Sequence, residues 1–315
     1  MPVLNEERHL TAACKAVLDN GYDGPVELVL ALGPSTDATD AIAARVAEDQ
    51  RVTIVTNPTG ATPAGLNLAI AAARHRVVVR TDGHAILPRG YLADAVGALA
   101  RTGAANVGGR MVPTSDAVLG KAIAVAMSSP WGIGGAGHRI GGAAGPADSV
   151  FLGAFRREAL DSVGLFDEHF RRAQDWELNY RLRKAGYEVM FVPSMQVRYV
   201  PRGKWRALAR QFHESGRWRR EVVRTHPDSG SPRYLAAPVV AFLVGLGLVL
   251  GVIGTVLGSW WLAAGFLLPL GYLAGVIIAS LTHARDLQLR SLLLLPGVLV
   301  TMHMAWGTGY LRGIR

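Results

Sequence analysis

An aspartate that leaves an apolar strand beside a glycine and a histidine can handle a metal or a phosphate. In VVVRTDGHAILPRGYL (77–92), Asp82 and His84 stand in that way. A carboxylate and an imidazole two positions apart can share a divalent cation and leave its other positions to phosphate oxygens. Taken alone, such an aspartate also serves as an ordinary turn residue. A second carboxylate, Asp175, opens a helix that runs through WELNYRLRKAG and stops at Gly186. A helix N-terminus favours the ionised form, which a general base needs. Asp175 alone reads more readily as an N-terminal helix residue than as a base. Glu177 lies four positions before Arg181, and an ion pair along the helix is its simpler reading. Two further polar clusters precede helices. They are PVLNEE (2–7) and ALGPSTDATD (31–40), the latter with Ser, Thr and Asp available for capping.

The elements that must position these residues follow from pattern. VELVLAL (26–32), RVTIVT (51–56) and RVVVRT (76–81) are predicted strands. TAACKAVLDN, TDATDAIAARVAED and PAGLNLAIAAAR are predicted helices between them. That alternation predicts an α/β fold with a mainly parallel sheet and helices on both faces. AANVGGRMV, ADSVFLGAF, EVMFVP and QVRYV are predicted as later strands. The clusters then sit at the C-terminal ends of strands, where α/β sheets keep their sites. Ser128–Pro146 holds seven glycines and reads as a mobile loop. Only Pro2, Val3 and Leu4 precede Asn5-Glu6-Glu7, so the first strand reads as short by several residues. A mis-assigned start codon would explain it.

Charge separates the chain into parts. Of 315 residues, half are apolar, and the mean hydropathy of +0.23 is high for a purely soluble protein. A single cysteine, Cys14, excludes a disulfide scaffold and a cysteine-based zinc site. The formal charge is +9, yet residues 1–200 balance to zero. The excess begins in a collar, 201–233, with nine basic and three acidic residues. A nucleic-acid enzyme would spread that excess over its working domain. A basic collar before an apolar tail belongs to a membrane surface instead. In the collar Trp205, Leu208 and Phe212 recur at helical spacing among basic residues, as in an amphipathic helix on anionic headgroups. A surface helix packed on the protein is the alternative.

From 234 to 315 the chain is predicted to cross the membrane about three times, near 236–257, 260–281 and 291–311. The third run carries Pro296 and His303 and reads also as re-entrant or interfacial. Arg285 and Arg290 place the second loop with the basic collar on the cytoplasmic side. Residues 1–200 are then cytoplasmic, and the C-terminus lies outside if all three runs span.

The order of the clusters adds a resemblance. PVLNEE, GPSTDAT, RTDGHA and GAFRR…GLFDE…QDWELNYRLRKAGY resemble the family 2 glycosyltransferases of GT-A fold over about residues 1–200. Within that family the chain looks most like the succinoglycan-biosynthesis type, which also carries C-terminal membrane helices. The resemblance implies an inverting transferase that uses a nucleotide-diphosphate sugar. Pro2, Asn5 and Glu6 fall in the family's first nucleotide-contacting loop, and Asp37 matches the end of its Ser-Thr-Asp turn. Asp82 matches the first metal-motif aspartate, His84 replaces the second, and Asp175 matches the proposed base, with Gln174 in place of a glutamate. Leu32 and Gly33 stand where the family often has acidic residues that touch the nucleotide base. Glu214-Ser-Gly-Arg217-Trp218 is similar to the Gln-x-x-Arg-Trp motif of processive polymerases, without its glutamine.

These readings combine into a multi-pass enzyme of the bacterial inner membrane. Asp82 and His84 are expected to hold Mg²⁺ or Mn²⁺, and Asp175 to act as base. Arg156 is expected to contact donor phosphate, and Arg217 and Trp218 an acceptor or diphosphate. A UDP-sugar is the first donor to test, and a polyprenyl-linked or other lipid-linked saccharide is the acceptor. One sugar per acceptor is favoured over polymer synthesis, since three spans leave little material for a channel. The alternatives are a polyprenyl-phosphate sugar synthase and a non-catalytic membrane scaffold with a decayed transferase domain.

Overall fold

The computed structural model describes residues 1–133, 141–201 and 203–314. The chain divides into two compact units, Met1–Val112 with Gly137–Tyr199, and Pro113–Ala136 with Val200–Arg315. In chain order the first stretch runs β1 (Pro2–Val3), α1 (Leu10–Leu18), β2 (Leu28–Leu32), α2 (Thr39–Val46) and β3 (Val52–Thr56). It continues with α3 (Thr62–Ala72), β4 (Val77–Val79), α4 (Tyr91–Thr102) and β5 (Asn106–Pro113). Helices α5 (Val118–Ser128) and α6 (Pro130–Ile133) belong to the second unit. The chain then returns to the first unit with β6 (Gly145–Pro146), β7 (Phe151–Arg156), α7 (Arg157–Val163), α8 (Gln174–Lys184) and β8 (Val189–Tyr199).

Two sheets are present among the described residues. β1, β2 and β3 pair in that order, all parallel, as their helical connections require. β2 is buried over Leu28–Ala31, the near-continuous apolar run of a strand covered on both faces. The second sheet has the order β4-β7-β5-β8-β6. Here the mainly parallel expectation is corrected, because β7 is antiparallel to both β4 and β5, and β6 to β8. β7 enters this sheet after the excursion through α5 and α6, so no strand–helix–strand crossover fixes its direction. EVMFVP and QVRYV, predicted as two strands, form the single strand β8.

Two of the apolar clusters among the described residues pack the helices of this unit. One gathers Leu10, Val17, Ile42, Tyr91, Leu99 and their neighbours from α1, α2 and α4. The other gathers Leu66, Ile70, Leu160, Leu178 and Leu182 from α3, α7 and α8. Strand alternation feeds both: Ala154 belongs to the first cluster and Phe155 to the second. The register of β5 slips between Val107 and Gly109, and Leu152 in β7 adopts a φ of 46°. The Tyr91 hydroxyl donates to the Leu152 carbonyl at 2.8 Å and fixes that irregularity to α4.

The second unit adds α9 (Trp205–Thr225), α10 (Ala236–Leu257), α11 (Trp260–Ala263), α12 (Leu267–Leu281) and α13 (Leu289–Arg312). Three helical stretches among the described residues are long and apolar enough to cross a membrane. They are Pro232–Leu257, Trp260–Leu281 and Leu289–Arg312, with mean hydropathies of 2.6, 2.1 and 1.4. Gly247, Gly251 and Gly254 of α10 meet Gly265, Phe266 and Ala263, so small residues let this hairpin close tightly.

The collar stripe is partly covered by protein. Leu208 and Phe212 are buried rather than offered to headgroups, and the Trp205 ring covers Gly297 of α13. The glycine-rich segment, expected as a loop throughout, begins as helix: its first residues close α5 and form α6. Residues 134–140 of that segment lie outside the described residues.

Gly109 shows how tightly β5 and β8 pack. A Cβ there would collide with the Met195 carbonyl oxygen. Gly109→Ala is expected to lower stability by about 1–3 kcal/mol, as overpacking does. Gly275→Ala, at an open helical position, should leave it unchanged or raise it. Thermal unfolding in detergent checks both.

Candidate active site

The site begins where β1 and β2 end side by side. Asn5 takes a φ of 55°, a left-handed conformation that asparagine tolerates. Its side-chain oxygen accepts the Thr36 N–H at 2.8 Å, and its own N–H reaches the Ser35 hydroxyl at 3.1 Å. The Glu6 N–H donates to the Thr39 hydroxyl oxygen at 2.7 Å, and the Ala38 N–H donates to the Glu7 carboxylate at 3.2 Å. The Glu7 N–H donates to Asp37 at 3.3 Å. The Thr39 hydroxyl and backbone N–H groups hold the Asp37 carboxyl below the usual carboxylate range, against a smaller effect of burial. The loops 5–7 and 35–39 are therefore laced into one rim. Pro2 lies in β1 itself, paired with Ala31, and its ring lies against Gly65.

Gly33 explains one departure from the family pattern. Its N–H donates to the Val3 carbonyl at 2.8 Å, and a Cβ would come within 3.0 Å of Gly60. An aspartate at this position has no room without opening the strand ends.

Asp82 and Asp175 meet through a residue that sequence reading missed. Arg80 follows β4, and its N–H extends the ladder to the Gly153 carbonyl at 3.0 Å. Its side chain is 8% exposed. One guanidinium nitrogen donates to Asp82 Oδ1 at 3.1 Å, and another donates to Asp175 Oδ1. Burial works against the Arg80 charge, yet Asp175 and Asp82 together hold it charged. Burial likewise opposes the Asp82 charge, but Arg80 and then His84 outweigh it and depress that carboxyl. For Asp175 the balance falls the other way. Burial, helped by Asp82, raises its carboxyl above the ordinary value despite the pull of Arg80. Its side chain keeps 37% exposure, so an incoming hydroxyl can reach it.

His84 turns to the rim. Its Nδ1 lies 2.7 Å from Glu6 Oε1. If Nδ1 donates to Glu6, Nε2 is the ring nitrogen that would face a metal ion. A carboxylate behind the far nitrogen is the usual support of a metal-binding histidine. Gly83 makes the approach possible, since a Cβ there would lie 2.9 Å from the Glu6 side chain. No group of three His, Cys, Asp or Glu side chains able to cage an ion occurs among the described residues. Asp82 and His84 fit instead an ion whose remaining positions belong to substrate phosphates, the habit of Mg²⁺ and Mn²⁺ in phosphate sites. The Thr81 hydroxyl beside them is 3% exposed and has no protein partner, a further polar atom available to a ligand.

Helix α8 is pinned so that Asp175 meets Arg80. Asn179 accepts from Asn106 Nδ2 at 2.6 Å and donates to the Ser149 hydroxyl at 3.0 Å, all within the core. Glu177 is buried and takes Arg181 in a two-pronged bond at 2.7 and 2.8 Å. Arg181 also donates to the Leu165 carbonyl at 2.6 Å, so the pair anchors the helix to the preceding turn. Gln174 is the first residue of α8.

Other expected residues go elsewhere. Arg156, expected at the donor phosphate, bonds to backbone within the first unit. Its guanidinium donates to the carbonyls of Ala104 at 3.0 Å and Leu99 at 2.7 Å, closing the end of α4. Arg157 does the same for α3 through the carbonyls of Ile70 and His75. Arg217 lies on α9 in the second unit, and its guanidinium holds the Gly313 carbonyl at 2.9 Å and Glu214 at 3.0 Å. That engagement ties α9 to the end of α13. Trp218, half-buried, follows it on the same helix.

Comparison with known proteins gives the family and the fold. The sequence model of the family described as "Glycosyl transferase family 2" matches residues 1–164. The succinoglycan biosynthesis protein ExoA of Rhizobium meliloti (strain 1021) is 31% identical over 327 residues, covering 99% of this chain and 93% of that protein. Among solved structures, a mannosyltransferase from Pyrobaculum calidifontis, in complex with GDP-Man and Mn²⁺, matches with a TM-score of 0.55 at 21% identity. That match covers 95% of this chain and 84% of the other. TarS 1–349 of S. aureus in complex with UDP matches with a TM-score of 0.50 at 14% identity, covering 95% and 89%. These likenesses show a GT-A fold.

Two outcomes follow from the arginines. Arg80→Met leaves two acids facing each other in a buried setting and is expected to cost about 3–5 kcal/mol, as breaking a buried pair does. Arg156→Ala should lose about 1–3 kcal/mol from charge-assisted bonds to carbonyls. It should leave nucleotide-sugar binding unchanged. Thermal unfolding beside titration calorimetry separates the two variants.

Proposed function

We propose that this chain, which belongs to glycosyltransferase family 2, moves one sugar from a nucleotide-diphosphate donor to a lipid-linked saccharide. It is a membrane-anchored inverting enzyme of polysaccharide or glycolipid biosynthesis. The observation that carries this reading is the meeting of Asp82 and Asp175 on Arg80 at the end of β4.

The rim of Asn5, Glu6 and Asp37 receives the nucleotide. Asp82 and His84 would hold a divalent ion beside the donor diphosphate. When bound, such an ion supplies a Lewis acid that offsets charge on the departing diphosphate. Asp175 accepts the proton of the acceptor hydroxyl as that oxygen attacks the anomeric carbon. One displacement from the opposite face inverts that carbon. Proton transfer of this kind contributes about 10²–10⁴ in rate. The raised carboxyl of Asp175 suits a base, since proton affinity is what it must supply. Arg80 keeps Asp175 oriented and stabilises its ionised form until the acceptor arrives.

The apolar helices of the second unit support a membrane setting, and the basic collar supports a cytoplasmic face with the inner membrane as its location. An enzyme held there meets acceptors that are themselves held in lipid. A UDP-sugar is the first donor to test.

Purified protein in detergent, offered UDP-, GDP- and dTDP-sugars with and without Mn²⁺ or Mg²⁺, tests the reading. Metal-dependent hydrolysis or transfer from one donor is the expected outcome. Binding of none by folded protein would reject it. Asp175→Asn is expected to lower kcat by about 10²–10⁴ while donor binding is retained. Unchanged turnover would instead indicate an acceptor, such as a lipid phosphate, that needs no proton removed.

A further inference from the structure

We infer that α13 lies in the membrane interface beside α9 and does not cross the bilayer. The chain then crosses twice, through α10 and through α11–α12, and its C-terminus returns to the side from which it came. This rests on the membrane-anchored reading above. Length and composition alone would let α13 span, but its packing does not.

Its partnership with α9 is the first reason. The two helices run side by side in the same direction. A Cβ on Gly297 would lie 3.1 Å from the Trp205 ring. Further on, Gly309 sits against the His213 backbone, and Gly216 sits against the Trp306 carbonyl. At the end, Arg217 reaches the Gly313 carbonyl at 2.9 Å and Arg220 reaches the Tyr310 carbonyl at 3.2 Å. A transmembrane α13 would carry α9 into the hydrocarbon with it. α9 bears Arg206, Arg210, Arg217, Arg219, Arg220 and Arg224. Arg206 and Arg210 are exposed and would face acyl chains. Arginine at the bilayer centre is costly, and the ion pairs of α9, Glu214 with Arg217 and Glu221 with Arg224, do nothing for Arg206 and Arg210.

The register against α10 is the second reason. Gly307 packs on Ala237 and Ala241, in the opening turns of α10. Beyond Gly307 only Thr308–Arg312 remain in α13. A spanning helix needs about 20 residues. An α13 that left the cytoplasmic side alongside α10 would meet Ala237 with its own first turn, near Leu289. Instead it meets Ala237 with its last turns, so it crosses the entry of α10 rather than following it.

The contacts with α5 and α6 are the third reason. The Ser291 hydroxyl donates to the Val118 carbonyl at 3.0 Å, and His303 Nε2 lies 2.6 Å from the Trp131 carbonyl. α5 has 11 residues, too few to cross, and the chain before and after this segment belongs to the first unit. The stretch of α13 from Ser291 to His303 is thus tied to an element that stays on the starting side. Exposed Leu289, Leu293 and Leu311 give α13 an apolar outer face, and the outer arginines of α9 meet phosphate. This is the division of an interfacial helix pair.

Labelling with a membrane-impermeant maleimide tests the topology on the full chain. In a Cys14→Ala background, Ser259→Cys, Arg285→Cys and Ile314→Cys are labelled in right-side-out and inverted vesicles. Arg285→Cys and Ile314→Cys are expected to label from one face and Ser259→Cys from the other. Labelling of Ile314→Cys together with Ser259→Cys overturns the inference while leaving membrane anchoring intact. Labelling of Ser259→Cys together with Arg285→Cys overturns the anchored reading itself, and this inference with it. Reporters fused after Arg315 give a second readout. A fluorescent protein that matures only in the cytoplasm should glow, and an alkaline phosphatase that folds only outside should stay silent. The reverse result overturns the inference.

Discussion

One buried guanidinium holds the site together. Asp82 arrives at the end of a strand and Asp175 at the start of a helix far along the chain. Brought close without a cation, two carboxylates in a largely buried setting repel, and one of them takes up a proton. Arg80 removes that conflict by donating to both. The planar fork of arginine suits this bridge, whereas a lysine ammonium presents a single point of charge. The rest of the first unit serves the meeting. The β4–β7 ladder carries Arg80, the Asn106–Asn179–Ser149 chain seats α8, and Glu177 with Arg181 sets the turn before it.

The acids and the histidine were legible in sequence because their order repeats a family pattern. Arg80 was not. In RVVVRT it reads as the polar end of a strand, and nothing local says that it will face a residue from position 175. Arg156 shows the converse. A basic residue at a strand end looks like a phosphate ligand, but the same position also faces the open carbonyls of a neighbouring helix, and those carbonyls take it. Glu6 was read as a nucleotide contact, while its bond to His84 depends on two loops that only the fold brings together.

Elements followed from periodicity more readily than their pairing did. The helices of the first 75 residues and the long apolar runs announce themselves by composition. Strand direction in the second sheet does not, because β7 reaches its neighbours after a long detour through the other unit. The same holds for the collar. An amphipathic stripe states that it will be covered and leaves open by what. Here the close approach of Gly216 and Gly309 lets a neighbouring helix cover α9.

The adjacent arginines at the end of β7 have a mechanical meaning. Arg156 grips the last carbonyls of α4, and Arg157 grips those of α3, helices that belong to different apolar clusters. Two neighbouring residues therefore act as a rivet through the sheet. Slow amide exchange at these helix ends should rise and fall together, since neither layer can peel away without freeing the strand that fastens the other. The floor under the acids then opens as a single cooperative unit.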